Sequence, residues 1–193
     1  MLKKLMLFSA AIAALVAIAA PAAQAGHVFA TNGVPIATHE SVVFEGETGF
    51  ELTNGALGWH AEVQATMTLN AGTLTVGGQV GTVTGYHVSN CTGTGQLNNR
   101  PCTPTTTEVN WPVTLRADTN LELDVNLHQI YYADAAHTIP VYTSSMYGPA
   151  VLDINAAAIT SATLTGGEGL IFNGSPATFY GTLFTETEGL SLE

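Results

Sequence analysis

The sequence predicts an all-β protein, a single antiparallel β-sandwich or partly closed barrel after a cleaved N-terminal signal helix. Three observations lead to this fold class. Residues 59–69 and residues 120–128 alternate between apolar and polar side chains, as a strand with one dry face does. Turn residues recur about every ten positions, which is typical of sandwiches and barrels. After residue 25 there is no sustained helical pattern.

Residues 1–25 have the features of a signal peptide. Lys3 and Lys4 precede an apolar run over residues 5–20, and Ala23-Gln24-Ala25 is a cleavage site with small residues at both outer positions. The run is short for a membrane span, and no second candidate follows. We therefore predict an exported protein, extracellular, at the cell surface or periplasmic, with one β domain over residues 26–193 and no stable membrane span.

The predicted mature chain is strongly acidic. Cleavage removes both lysines, so Arg100 and Arg116 face 15 acidic residues and the net charge is −13. Such a chain repels nucleic acid and anionic lipid, and it has no lysine nucleophile. We predict no nucleic-acid partner and no cofactor.

The first elements in chain order are a lead-in over residues 26–38, with one short edge strand, and two short strands at 41–44 and 49–53. Glu45-Gly46-Glu47 is expected to separate these two strands. The long strand over residues 59–69 follows, and its odd positions are expected to face the core: Trp59, Ala61, Val63, Ala65, Met67 and Leu69.

The middle of the chain continues in strands. Residues 73–76 and 79–89 have β-rich composition, and Gly81 and Gly85 indicate bulges or a close neighbour. Residues 103–107 look like a Pro/Thr linker inside the domain. Residues 111–116 and 120–130 are predicted to form a hairpin whose second strand buries Leu121, Leu123, Val125 and Leu127.

The last part is less regular. Residues 131–149 show the weakest periodicity and are expected to be largely loop. A helical turn is conceivable at residues 155–158, although a strand is favoured for 159–164. Residues 170–172 and 177–185 are predicted to close the domain as a hairpin around an Asn-Gly turn.

Two cysteines, Cys91 and Cys102, are expected to form one disulfide. An even number of cysteines in an exported chain favours a bridge over a redox or metal pair. The enclosed segment is rich in Gly, Thr and Asn, a loop composition that a covalent anchor would stabilise by about 2–3 kcal/mol.

The middle of the chain resembles a group of exported all-β bacterial proteins of actinobacterial type. The matching segments are Gly-Thr-Val-Thr at 81–84, Ser-Asn-Cys-Thr-Gly-Thr-Gly at 89–95, Trp-Pro-Val at 111–113 and the Leu/Asp/Val strand at 121–127. The resemblance covers about residues 55–185. It implies an exported β-protein, and the group has no known function or catalytic residues to carry over.

Tyrosines supply the best candidate binding surface. Four of them lie within the segment 131–147, close to two prolines: Tyr131, Tyr132, Tyr142 and Tyr147. Exposed aromatic rings on a β-scaffold stack on sugars or on partner proteins, although tyrosines also cap sandwich cores.

Patterns for metal binding and catalysis are weak. The acidic and amide side chains at 118, 120, 122, 124 and 126 follow one strand face, where neighbours lie about 7 Å apart and cannot share one ion. The six histidines lack ligand spacing, and His27 becomes the second residue after cleavage, which does not suit an N-terminal copper site. No Gly-x-Ser-x-Gly motif is present. We predict no metal site and no catalytic residues.

Three functions remain open. The first hypothesis is a non-enzymatic structural or interaction module, secreted or in the cell envelope, whose partner is a cell-envelope protein or a glycan. The alternative is a binder of glycans or small apolar ligands that uses the Tyr-rich segment 131–147. The third is an exported enzyme. A filled interior would favour the first hypothesis, and a hollow one a carrier of apolar ligands.

Overall fold

A computed structural model describes residues 26–105, 109–117, 120–165 and 169–193. The predicted signal peptide, residues 1–25, lies outside the described residues. The described residues form thirteen β-strands, β1 to β13 in chain order, and no helix: Phe29–Thr31, Val34–Pro35, Glu40–Leu52, Leu57–Leu69, Gln79–Gly95, Cys102–Pro104, Trp111–Ala117, Asn120–Tyr132, Pro140–Ile154, Ser161–Thr165, Ile171–Phe172, Ser175–Thr185 and Leu190–Leu192. The all-β prediction is confirmed. Within these ranges no helix is long and apolar enough to cross a membrane.

Eight strands form a hydrogen-bonded ring. The order is β3, β4, β5, β7, β8, β9, β10 and β12, and every neighbouring pair is antiparallel. The ring closes where β12 pairs with β3, from Thr185 opposite Phe44 to Ala177 opposite Leu52. Ring neighbours also follow one another along the chain, so the architecture is an up-and-down barrel with two short strands, β6 and β11, inserted.

The inserted strands complete one end of the barrel. There β6 pairs with residues 129–131 of β8, whereas the shorter β7 pairs with residues 120–123 of the same strand. On the opposite side β11 pairs with both β9 and β12, beyond the end of β10. We call this the disulfide end, because Cys91 of β5 is bonded to Cys102 of β6 there.

A small sheet packs over the opposite end of the barrel. Its strand order is β13-β1-β2, so residues near both ends of the described chain lie side by side. Phe29, Leu190 and Leu192 are buried and join the barrel core. The Ile159 amide donates to the Leu190 carbonyl at 2.8 Å, which ties this sheet to the barrel. We call it the terminal sheet.

The predicted alternation is confirmed in the two longest patterned strands. All six odd-numbered side chains of residues 59–69 are buried, and so are Leu121, Leu123, Val125 and Leu127 of β8. These two faces line a common interior, as expected for strands with one apolar side. The bulges predicted around Gly81 and Gly85 are also present, as register shifts in the ladders of β5. The closing hairpin of β11 and β12 is confirmed as well.

Two predicted strand boundaries in the first half of the chain are wrong. Residues 41–44 and 49–52 belong to one strand, β3, which runs through Gly46 and ends before Thr53. A Cβ on Gly46 would lie 2.2 Å from the Thr182 carbonyl oxygen, so this glycine permits close approach of β12 and does not end the strand. Residues 73–76 are not a strand, since only Leu74 forms an isolated bridge, with His27.

Three segments predicted as loops contain strands. Strand β5 continues through Cys91 to Gly95, and the expected linker at 103–107 begins with β6, although residues 106–107 lie outside the described part. Strand β9 begins at Pro140, inside the segment 131–149 that was expected to be irregular. Its thirteen pairs with β8 satisfy the backbone regardless of side-chain pattern, which explains why periodicity missed it. At residues 155–158 the structure has a turn, and β10 begins at Ser161.

Candidate functional site

Tyr131 is a core residue. It is 0% exposed, and its hydroxyl donates to Gln129 Oε1 at 3.0 Å. Burial raises the pKa of Tyr131 above its ordinary value, and the nearby Tyr142 adds to this while a hydrogen bond with Ser144 opposes it. Its ring lies 5.7 Å from that of Tyr142. A surface ligand cannot reach Tyr131 in this conformation.

Tyr132 packs on the turn that follows β8. Its ring stacks on His137, with centroids 4.8 Å apart and planes 15° apart. Asp134 holds this turn by accepting hydrogen bonds from the Thr138 amide, the Thr138 hydroxyl and the Ile139 amide. The hydrogen bond from the Thr138 side chain is the main cause of the lowered pKa of Asp134. The turn is therefore internally braced, and Tyr132 forms part of it.

Tyr142 joins β9 to the turn between β11 and β12. Asn173 donates its side-chain amide to the Tyr142 hydroxyl and accepts from the Ser145 amide at 2.8 Å. Asn173 has a positive φ of 46°, as expected for a tight hairpin turn. The polar end of Tyr142 is thus already engaged in a structural contact.

Tyr147 is the most exposed of the four tyrosines. It is 49% exposed and lies beside an open groove of about 540 Å³ on the outer face of β7, β8 and β9. The groove is lined by Asn110, Trp111, Pro112, Asp124, Val125, Asn126, Tyr147 and Gly148. An exposed ring beside amide and carboxylate groups can stack on a sugar and hydrogen-bond its hydroxyls. The structure therefore brings Tyr131 and Tyr142 together and leaves Tyr147 at a separate place.

A second open groove lies on the outer face of β3, β4 and β12. It has a volume of about 650 Å³, and Phe184 and Val43, 60% and 39% exposed, supply its apolar part. Glu45 lies directly opposite Phe184 in the β3–β12 ladder, and Glu186 lines the same groove. We call this the Phe184 groove. Sequence reasoning missed it, although the even positions of residues 177–185 are the outward ones in a strand that buries Phe179.

The barrel interior is nearly filled. At the disulfide end, Trp59, Tyr131, Phe50 and Phe172 are all fully buried. Below the terminal sheet a cavity of about 50 Å³ remains, and no charged side chain lines it. Its wall includes Phe29 and Leu190 from the terminal sheet.

The disulfide predicted from the sequence is present. Cys91 and Cys102 are both buried, and Gln129 donates its side-chain amide to Cys91 Sγ at 3.8 Å. Gln129 is itself buried, together with Ser144 of β9. Sequence reasoning did not place Gln129 inside, although it continues the odd-numbered, inward row of β8.

Polar side chains on the outer faces form pairs with their neighbours. Glu62 accepts hydrogen bonds from Ser89 and Asn90, and Glu122 forms a 3.2 Å ion pair with Arg116. Strands β5 and β7 separate Glu62 from Glu122 in the ring. Over the ranges that the structure describes, no cluster of three or more His, Cys, Asp or Glu side chains is arranged to hold a metal ion.

Comparison with known proteins adds no relative. No protein-family model, no curated protein and no solved structure matches this chain. The resemblance to exported actinobacterial-type β-proteins stays a prediction from sequence motifs, and functional inference depends on the geometry.

Proposed function

We propose that this protein is a non-enzymatic interaction module that works at the cell envelope or outside the cell. The observation that carries the proposal is the filled interior. The remaining void of about 50 Å³ is far below the roughly 300–1,000 Å³ of ordinary small-molecule sites. A barrel packed in this way is a rigid scaffold, and its recognition chemistry lies on its outer faces.

The Phe184 groove is the surface we assign to a partner protein. A ring that is 60% exposed on a strand is costly in water and is typical of interaction sites when apolar neighbours extend it. Glu45 and Glu186 line the same groove, and the predicted mature chain carries a net charge of −13. A second copy would bring like charges together, so the partner that fits is a protein surface that is apolar at its centre and basic at its rim.

Two features of the chain support this cellular setting. The sequence pattern of residues 1–25 is that of a signal peptide, and the Cys91–Cys102 bridge is stable in oxidising compartments. Mass spectrometry of the protein recovered from culture medium or periplasm should give Gly26 as the first residue. Recovery of the whole chain in the cytosol would contradict export.

The proposal is tested with two defined peptides. One is an amphipathic peptide of alternating Lys and Leu, and the other has Glu in place of Lys. We expect binding of the Lys peptide and not of the Glu peptide, with at least tenfold weaker binding after Phe184→Ser. Val76→Ser is the matched control, because Val76 is 57% exposed outside the groove.

Two results would contradict the proposal. Equal binding by Phe184→Ser, Val76→Ser and the parent would remove the Phe184 groove as the contact surface. Detectable turnover on a broad panel of hydrolase substrates would contradict a non-enzymatic role.

A glycan binder is the second candidate, and the groove beside Tyr147 favours it. Tyr147→Ala should abolish any signal that the parent gives on a glycan array, while Tyr180→Ala, at an exposed tyrosine on β12, should leave it unchanged. Tyr132→Ala and Tyr142→Ala test the wider Tyr-rich segment in the same assay. Absence of any glycan signal from the parent would exclude this candidate.

A further inference from the structure

The chain contains three Asn-Gly pairs, Asn32-Gly33, Asn54-Gly55 and Asn173-Gly174, and all three lie between strands. The backbone nitrogen of the residue after an asparagine can attack the carbon of the asparagine side-chain amide. Glycine hinders this attack least, because it has no side chain and adopts the widest range of backbone conformations. The three asparagines are therefore equivalent in their following residue, and any difference between them comes from the hydrogen bonds in the folded structure.

Asn173 is held at both atoms of its side-chain amide. Its Oδ1 accepts a hydrogen bond from the Ser145 amide at 2.8 Å, and its Nδ2 donates to the Tyr142 hydroxyl. Attack by the Gly174 nitrogen would move the amide carbon and expel this nitrogen, so both hydrogen bonds would have to break first. Their loss adds to the barrier of the reaction.

Asn54 is held by hydrogen bonds at both reacting groups. Its Oδ1 accepts from the Ala56 amide at 3.0 Å, which fixes the side chain. The Gly55 amide donates to the Leu52 carbonyl at 2.7 Å. The attacking group is the Gly55 nitrogen after loss of its proton, and this hydrogen bond stabilises the protonated form. Asn54 is therefore protected, like Asn173, although by different partners.

Asn32 differs from both, because neither its side chain nor the Gly33 amide makes a hydrogen bond within the described part of the chain. Both residues are exposed, and a Cβ on Gly33 would meet nothing within 4 Å. The backbone of Asn32 resembles that of Asn173, with φ values of 53° and 46°. The two turns thus differ mainly in whether the side chain is held.

The strands on either side of Asn32 also allow the turn to open. Ring closure requires rotation of the Asn32-Gly33 peptide, so that the Gly33 nitrogen reaches the side-chain carbon. Strands β1 and β2 pair at only two positions, Ala30 with Pro35 and Thr31 with Val34. A ladder of this length opens locally at lower cost than the long ladders of the ring.

We propose that Asn32 is a site of spontaneous deamidation in the folded protein, with water as the co-reactant. The Gly33 nitrogen loses its proton to a solvent base and forms a bond to Asn32 Cγ. The Cγ–Nδ2 bond breaks, and the nitrogen takes a proton from solvent and leaves as ammonia. The product is a five-membered cyclic imide. Water then adds to one of the two imide carbonyl carbons and opens the ring, which leaves an aspartate or an isoaspartate at position 32.

The modification acts on the terminal sheet. Both products add a negative charge, and isoaspartate also adds one methylene group to the backbone of the turn between β1 and β2. The two-position ladder of β1 and β2 depends on the length of this turn, so it is the part that isoaspartate disrupts. The pairing of β1 with β13 lies on the other edge of β1 and is expected to remain.

The experiment follows all three asparagines in the same molecules. The purified protein is incubated at mildly alkaline pH, and its peptides are analysed by chromatography and mass spectrometry, which detect the exchange of an amide for a carboxyl group and separate isoaspartate from aspartate. We expect Asn32 to be modified at least about tenfold faster than Asn54 or Asn173, the factor that one ordinary hydrogen bond supplies.

Two controls show whether the folded structure causes the difference. In urea the hydrogen bonds of the fold are lost, so the three rates should converge. Tyr142→Phe removes the acceptor of the Asn173 side-chain nitrogen, so it should raise the rate at Asn173 and leave the rate at Asn32 unchanged. If this variant fails to fold, the comparison of the parent with and without urea still decides the question.

Three outcomes would overturn the proposal. The first is an equal rate at all three asparagines in the folded protein. The second is a faster reaction at Asn54 or Asn173 than at Asn32. The third is an Asn32 that stays unmodified in the folded protein over the time in which the chain in urea reacts.

Discussion

Removal of the Cys91–Cys102 bridge should destabilise the fold and should act first at the disulfide end. The two cysteines are 11 positions apart in sequence. Closing a loop of about 12 residues lowers the conformational entropy of the unfolded chain, and this raises the free energy of unfolding by about 2.8 kcal/mol at 25 °C. For residues 26–193, an unfolding entropy of about 2.1 cal/mol/K per residue converts this into a fall in Tm of about 8 °C.

The local effect follows from the way in which β6 is held. Two backbone hydrogen bonds hold the residues just before β6. The Gly93 amide of β5 donates to the Arg100 carbonyl at 2.7 Å, and the Tyr132 amide of β8 donates to the Pro101 carbonyl at 2.9 Å. These are few bonds compared with the long ladders elsewhere in the ring. Without the bridge, the amides of Gly93 and Tyr132 should lose exchange protection before those of β3 and β4.

The assay is thermal unfolding of the oxidised parent, the reduced parent and Cys91→Ala/Cys102→Ala, together with amide hydrogen exchange. The reduced parent is the matched control, because it keeps both sulfur atoms and loses only the bond. A Tm change below about 2 °C in both reduced and substituted proteins would refute the calculation. A uniform loss of protection over all strands would refute the assignment of β6 as the weak element.

Three further predictions concern closure, packing and pH. Gly181→Ala should lower the free energy of unfolding by at least about 3 kcal/mol, because a Cβ there would lie 2.4 Å from the Glu47 carbonyl oxygen in the closing ladder. The control is Gly33→Ala, whose Cβ meets nothing within 4 Å and which should lose only about 1–2 kcal/mol. Urea unfolding measures both changes. Leu127→Ala, at a fully buried position, should cost about 2–5 kcal/mol in the same assay, and a change below about 1 kcal/mol would show that Leu127 is not packed in the core. Burial raises the pKa of Tyr86 and Tyr131 above the ordinary value of 10.0, so at high pH the folded state keeps protons that the unfolded chain releases. The contribution of these two groups to stability should therefore be constant below about pH 10 and fall above it. Ultraviolet titration should show that both tyrosines ionise only when the protein unfolds.

Prediction of the candidate sites from sequence was partial for a physical reason. Residue type alone does not distinguish an exposed tyrosine from a buried one. The four tyrosines could therefore be grouped only because they lie close together in the sequence. Strand parity separates some of them: Tyr131 continues the inward row of β8, whereas Tyr147 follows the buried Met146 on β9 and points outward. The residues that line the Phe184 groove come from different strands, and sequence carries no sign of their proximity.

The sequence by itself determined the local features of this fold. Alternation of apolar and polar residues decided which side chains of β4 and β8 are buried, because a strand turns successive side chains to opposite faces whatever its neighbours are. Two cysteines in an exported-type chain were enough to indicate the disulfide. These features depend on a few adjacent residues or on composition, so they can be read without knowledge of pairing.

Tertiary structure decided the features that depend on distant partners. The ring closes because β12 pairs with β3 across more than a hundred residues, and Gly46 and Gly181 allow the two backbones to approach. Strands β6 and β9 exist because β8 supplies hydrogen bonds to segments of weak periodicity. Backbone hydrogen bonding does not depend on side-chain pattern, so neither closure nor the cavity beneath the terminal sheet was visible in the sequence.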